Sequence, residues 1–261
     1  MKTKITYLGG PTYLLEVGKF RLLTDPGFDP KGTERSEGPG HDLKKIMSPP
    51  VPVEKIGRID AILLSHQQHY DNLDNAGRSL IPKAGRVLTT KESAEVLGGR
   101  AEGMAPWETI ELANDAGEKI RVTAMPAKHG PSPEVQKATG DTMGFLLEWD
   151  GQKNGALYIT GDTVYIPEIE EIGKRFKVGT AILHMGAAQI PAAGDNRLTM
   201  NGEEGAKVVK VTGAKTAFAA HYEGWMHYTE QRDGIDKSFA TANLADRIQW
   251  PPLGKAVEVE I

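Results

Sequence analysis

The chain has 261 residues, a formal net charge of −4 and no cysteine. The slight acidic excess leaves no basic footprint for nucleic acid, and the lack of thiols excludes disulfides and thiolate ligands, so any metal falls to His, Asp and Glu. The 39% hydrophobic content suits a globular core, with no membrane-length apolar run and no signal-like N-terminus, so a cytoplasmic protein without a membrane span is expected.

Lys4–Leu8, Thr12–Val17 and Phe20–Thr24 read as short strands joined by turns at Gly9-Gly10-Pro11 and Gly18-Lys19. A Pro- and Gly-rich stretch from Gly27 to about Val53 reads as a surface loop closing over one end of the fold. Asp60–Leu64 is a strand, Asn72–Leu80 a short helix, Arg86–Thr89 a strand and Glu92–Leu97 a helix. Glu108–Leu112 and Ile120–Met125 continue the sheet, and Gly144–Trp149 with Ala156–Thr160 reads as a hairpin. Pro167–Phe176 follows as a helix and Ala181–His184 as a strand. Asn201 opens a helix, with Glu204 completing a capping-box pattern. Lys215–Ala220 is a strand, Ile235–Ile248 a helix and Ala256–Ile261 a last strand. With no sharp linker, residues 1–261 read as a single α/β domain of two packed sheets with helices outside.

The most informative segment is Ser65-His66-Gln67-Gln68-His69-Tyr70-Asp71-Asn72-Leu73-Asp74, directly after the apolar run Ala61-Ile62-Leu63-Leu64. A polar N-terminal cap for the next helix needs only one carboxylate, and two histidines add nothing to it. Imidazole and carboxylate together suit a borderline or hard divalent metal. Further strand ends repeat the theme: His129 after Ile120–Met125, Asp162 after Leu157–Thr160, His184 after Ala181–Leu183, and His221 after Ala217–Ala220. Strands that each end in His or Asp can assemble one coordination sphere from distant sequence.

This order of motifs resembles the metallo-β-lactamase-fold superfamily of metal-dependent hydrolases, over nearly the whole chain. Tyr7-Leu8-Gly9-Gly10-Pro11-Thr12 and Leu22-Leu23-Thr24-Asp25-Pro26 resemble its opening strands and first aspartate, His66–Asn72 its histidine-rich cluster, and Gly161-Asp162-Thr163 and His221 its later motifs. The Ser-His, Tyr-Asp and Leu-Asp pairs are similar to the branch with ascorbate-lactone hydrolases and N-acyl-phosphatidylethanolamine phosphodiesterases. The resemblance implies a four-layer αββα sandwich of two mixed β-sheets. It also implies one or two divalent ions per chain, zinc foremost with manganese or iron as alternatives. His66, His69 and His129 would hold one ion, Asp71 and His221 the second, and Asp162 would bridge both. His184 would serve as a reserve ligand, and Asp25 would steady a ligand from behind.

Two positions depart from that pattern. Gln67 and Gln68 both intervene where the family has one residue, so either the loop bulges to restore His66 or Gln67 takes the slot and the first metal is held more weakly. Asn72 replaces the cluster's last histidine, and an amide oxygen is a poor zinc ligand, which puts the second site in question. Tyr70, Arg197, Trp225 and His227 are candidate pocket residues; Tyr70 and Trp225 read equally as packing beneath the loops, His227 equally as an exposed histidine, solvation is the plainer reading of Arg197, and His41 reads as solvated.

The function implied is metal-dependent hydrolysis of an ester, lactone or phosphodiester bond in a small substrate. A metal-held hydroxide would attack, with Asp71 orienting it and handling its proton. The rival is a metal-binding or ligand-sensing protein without useful catalysis. The sequence fixes neither the substrate nor the oligomeric state.

Overall fold

A computed structural model describes residues 1–261. In chain order the first half supplies β1 (Thr3–Gly9), β2 (Thr12–Val17), β3 (Phe20–Thr24), β4 (Glu34–Ser36), β5 (Asp42–Lys44), β6 (Ala61–Leu63), β7 (Arg86–Thr90) and β8 (Ala101–Met104). The second half supplies β9 (Thr109–Ala113), β10 (Lys119–Pro126), β11 (Met143–Glu148), β12 (Ala156–Ile159), β13 (Val178–His184), β14 (Thr216–Ala220), β15 (Ile248–Gln249) and β16 (Ala256–Val259). The helices are α1 (Asn75–Arg78), α2 (Lys91–Leu97), α3 (Pro133–Thr139), α4 (Glu168–Arg175), α5 (Gly202–Thr212) and α6 (Arg232–Thr241).

Two seven-stranded mixed sheets form, in the orders β16-β1-β2-β3-β6-β7-β8 and β15-β14-β13-β12-β11-β10-β9. Side-chain alternation explains why they stack. On β6, Ala61 and Leu63 enter the main core with the second sheet's Phe145, Tyr158 and Ile182, while Ile62 joins Leu23 and Val87 in a smaller outer cluster. Helix α2 lies on β7 and β8; α4 and α5 cover the second sheet, and α6 packs on α5. The result is the expected four-layer αββα sandwich. No helix is long and apolar enough to cross a membrane.

Strand direction places the site. β3, β6 and β7 run parallel, so the ends of β3 and β6 share one edge of the first sheet. β12, β13 and β14 are parallel, and β10 runs the same way because it and β12 both pair antiparallel with β11. Their C-terminal ends therefore share one edge of the second sheet.

Several expectations change. The helix read over Asn72–Leu80 shrinks to α1, because Asp74 caps it by accepting from the Gly77 amide. The helix read over Ile235–Ile248 runs from Arg232 to Thr241 instead: Asn243 has φ +58°, and Ile248 pairs with Ala217 as part of β15. Strand β8, helix α3 and the hairpin β4–β5 lie where none was read.

Candidate metal centre

The chain leaves β6 through Leu64 and Ser65. The Ser65 amide donates to Asp25 Oδ1 at 2.7 Å, so the end of β3 grips the loop just before His66. The two glutamines turn away from the centre. The Gln67 carbonyl and side-chain oxygens accept from Arg78, and Gln68 Nε2 donates to the carbonyls of Thr139 and Asp141, each at 2.9 Å. That local bulge swings the His66 ring inward, and it is His66, not Gln67, that joins His69 and His129.

His69 Nδ1 lies 3.0 Å from His66 Nε2 and 2.9 Å from His129 Nε2. His129 Nδ1 donates to the Leu198 carbonyl at 2.6 Å. A carbonyl only accepts, so the proton sits on Nδ1 and a neutral ring turns its Nε2 lone pair inward. Burial pushes the His66 imidazole down to about 3 and holds His69 well below its ordinary value, so both stay neutral at pH 7. Three imidazoles with converging nitrogens fit a borderline divalent cation such as zinc. Their spacing is close to the roughly 3.3 Å expected between ligands of a tetrahedral zinc.

Beside them Asp71, Asp162 and His221 form a second group of potential ligands, all buried. His221 Nε2 lies 3.1 Å from Asp71 Oδ2 and 3.2 Å from Asp162 Oδ2, while His129 Nε2 is 3.7 Å from the latter. Asp162 follows Gly161, whose φ of +61° and closeness to the Met143 carbonyl oxygen, which would lie 2.1 Å from any Cβ there, admit no side chain. His221 itself has φ +59° and Asp25 +26°. Such strain at non-glycine residues costs about 1–3 kcal/mol each and gathers at functional sites. The β1–β2 turn holds the strained residue, because the His221 amide donates to the Gly10 carbonyl at 2.7 Å.

Asp71 Oδ2 also accepts from His227 Nε2 at 2.9 Å and from Tyr228 OH at 3.1 Å. Burial pushes the Asp71 carboxyl up, but hydrogen bonds from His221 and His227 outweigh it and hold it well below the usual carboxylate range. Asp162 follows the same pattern: burial is overcome by His221 and His184. Burial would lower His221 as well, yet Asp162 and Asp71 raise it to about 10. His184 stands behind the cluster, with Nδ1 2.8 Å from Asp162 Oδ1 and Nε2 3.9 Å from Asp25 Oδ2. Asn72 is fully buried; oriented so that both amide atoms find partners, its nitrogen donates to Asp71 Oδ1 at 3.1 Å and Asp162 Oδ2 at 3.2 Å.

The remaining candidates sit around this core. Tyr70 OH donates to Asp29, and its ring meets Trp225 edge-on at 6.1 Å. Trp225 is 1% exposed, so it packs under the loops rather than facing a substrate. Arg197 is held by both oxygens of Glu204, each contact 3.1 Å, at the start of α5. Sequence reasoning passed over Tyr228 and misplaced His41. His41 is half-buried, 3.2 Å from Glu37 and edge-on to His69 with ring centroids 5.7 Å apart. Burial, then Asp71, raises Glu37 to about 7, and burial lowers His41, so a protonated Glu37 can donate to a neutral His41. Adjacency to Asp71 in sequence was no guide to either, since both arrive on the hairpin β4–β5.

With this geometry in hand, comparison with known proteins gives a family. Residues 20–222 match the family described as Beta-lactamase superfamily domain, and the chain belongs to it. It is 27% identical over 226 residues to a "UPF0173 metal-dependent hydrolase" of Methanosarcina mazei, covering 84% of this chain and 83% of that protein. A protein of the same description from Aeropyrum pernix is 24% identical over 228 residues, covering 84% and 82%. Among solved structures, a possible metal-dependent hydrolase from Veillonella parvula superposes with a TM-score of 0.83 at 20% identity, covering 99% of this chain and 100% of that one. An isothiocyanate hydrolase from Delia radicum gut bacteria gives 0.82 at 22% identity, with coverage of 99% and 100%. These likenesses at low identity establish the fold.

Proposed function

We propose that the chain is a metal-dependent hydrolase that holds a divalent cation at His66, His69 and His129, within one domain spanning residues 1–261, and acts on a small substrate. The observation that carries this reading is the convergence of three inward imidazole nitrogens, two of them kept neutral by burial. When bound, such a cation supplies a Lewis acid and makes water acidic enough to serve as nucleophile near neutral pH.

The chain's own groups then divide the remaining work. Asp71 stays ionised, and with Oδ2 shared among three donors it is a weak base. His227, paired through Nε2 to Asp71 and with Nδ1 unpartnered, is better placed to carry the proton. Asp162, oriented by His184, fixes the wall shared by the two clusters. Ester, lactone and phosphodiester bonds head the substrate classes by resemblance, and the isothiocyanate hydrolase neighbour adds a heterocumulene carbon to those worth assaying.

A second reading, a metal-binding or ligand-sensing protein without useful turnover, is favoured by one observation: Asn72 bonds two carboxylates that a second ion would need. Assay of purified protein against model esters, lactones, bis(p-nitrophenyl) phosphate and isothiocyanates separates the two. The hydrolase reading expects turnover that a chelator abolishes and that His69→Ala lowers by at least about 100-fold, since even groups that only orient a ligand are worth 10–100-fold. Metal-loaded protein that turns over none of these but binds a small ligand would install the sensing reading.

A further inference from the structure

We propose that the chain binds a single divalent cation, at the three-histidine cluster, and that the Asn72 amide occupies the role of a second cation between Asp71 and Asp162. The inference rests on the metal reading above and adds to it a metal count and a residue that sets it.

Two buried carboxylates facing each other need compensating positive charge or donors. Here every carboxylate oxygen already has one. Asp71 Oδ2 faces His221, His227 and Tyr228, and Asp71 Oδ1 faces the Asn72 amide. Asp162 Oδ1 faces His184, and its Oδ2 faces Asn72 and His221. The three-histidine cluster is the opposite case: its inward nitrogens face one another, and Asp162 Oδ2 comes no closer than 3.7 Å to His129 Nε2, beyond hydrogen-bond distance. Distance alone would admit an ion to either group, but only the histidine nitrogens face no donor from outside their own cluster. An ion entering the second group would have to displace the amide, and the most Asn72 could offer in return is an amide oxygen, a weak ligand for zinc.

The same side chain helps prepare the first site. With its nitrogen on the carboxylates, the Asn72 oxygen lies 3.4 Å from Ser65 Oγ, which is itself 2.9 Å from His66 Nδ1. The hydroxyl has one proton. If it donates to Asn72, it accepts from His66 Nδ1–H, and His66 Nε2 must then be the lone pair that faces inward. Asn72 is thus a positioning residue for the first ion as well as a block to the second.

Metal counting tests this directly. Protein stripped with a chelator, loaded with excess Mn(II) or Zn(II) and desalted is expected to retain one equivalent by elemental analysis. Its Mn(II) form should give the six-line paramagnetic resonance signal of an isolated ion. Asn72→His and Asn72→Asp are each expected to retain two, with the Mn(II) signal broadened by coupling between neighbouring ions. Two equivalents or a coupled signal in the unaltered protein overturns the proposal whether or not the variants fold. So does a folded Asn72→His that stays at one. No retained metal at all overturns the underlying metal reading too, so the two failures are told apart.

Discussion

At His66 and His221 burial acts in the same direction, yet the net shifts are opposite because their partners differ. His66 has only histidines and a hydroxyl at its ring nitrogens and is driven down to about 3, whereas His221 lies between two carboxylates and is driven up to about 10. The signs of linkage follow. Between the ordinary 6.5 and about 3, the unfolded chain protonates His66 while the folded one does not, so stability falls as pH drops through that window. His221 contributes stability that is fully present below 6.5 and is lost as pH rises toward about 10. Metal-free protein should therefore be most stable near pH 6.5 and weaken on both sides, measured by urea denaturation midpoints across pH 4–10. A profile that only rises or only falls would contradict these assignments. The residue types at this site were legible from strand ends alone; the side-chain directions of Gln67, Gln68 and Asn72 were not, because they depend on Arg78, on the carbonyls of Thr139 and Asp141 and on Asp162, all set by tertiary packing.

Among the elements, the hairpin β4–β5 carries most of what the sequence hid. Its strands are only three residues long, mostly polar and without β-branched side chains, with Leu43 alone buried, so no strand pattern marks them, yet it brings Glu37 and His41 over the centre. A buried ion pair anchors its base: Lys45 Nζ donates to Asp74 Oδ2 at 2.9 Å with side chains 6% and 0% exposed, and lies 5.3 Å from the Trp225 ring. Lys45→Met should cost about 3 kcal/mol, the low end for breaking a buried pair, because Asp74 keeps the Asp29 and Gly77 amides. A melting curve unchanged by Lys45→Met would show the anchor to be idle. Helix α5 was readable from its Asn201–Glu204 capping box, whose bonds form in both directions. Strand β8 was not, since Ala101-Glu102-Gly103-Met104 has no strand propensity and pairs because β7 offers an edge and α2 covers it.

For the molecule as a whole, the fold's work is to align strand directions so that ends 150 residues apart in sequence, such as Asp71 and His221, meet within 3.1 Å. The proposed ion links the β6 end of one sheet, through His66 and His69, to the β10 end of the other, through His129. An ion bound only by the folded chain stabilises it by about 4 kcal/mol at a thousand times its dissociation constant, so chelation should lower the melting temperature and zinc should restore it. The most direct measurement is anomalous diffraction from crystals grown with zinc. A peak is expected within coordination distance of His66 Nε2, His69 Nδ1 and His129 Nε2; no peak there, or one bound only by surface groups, would mean that the three histidines hold no ion.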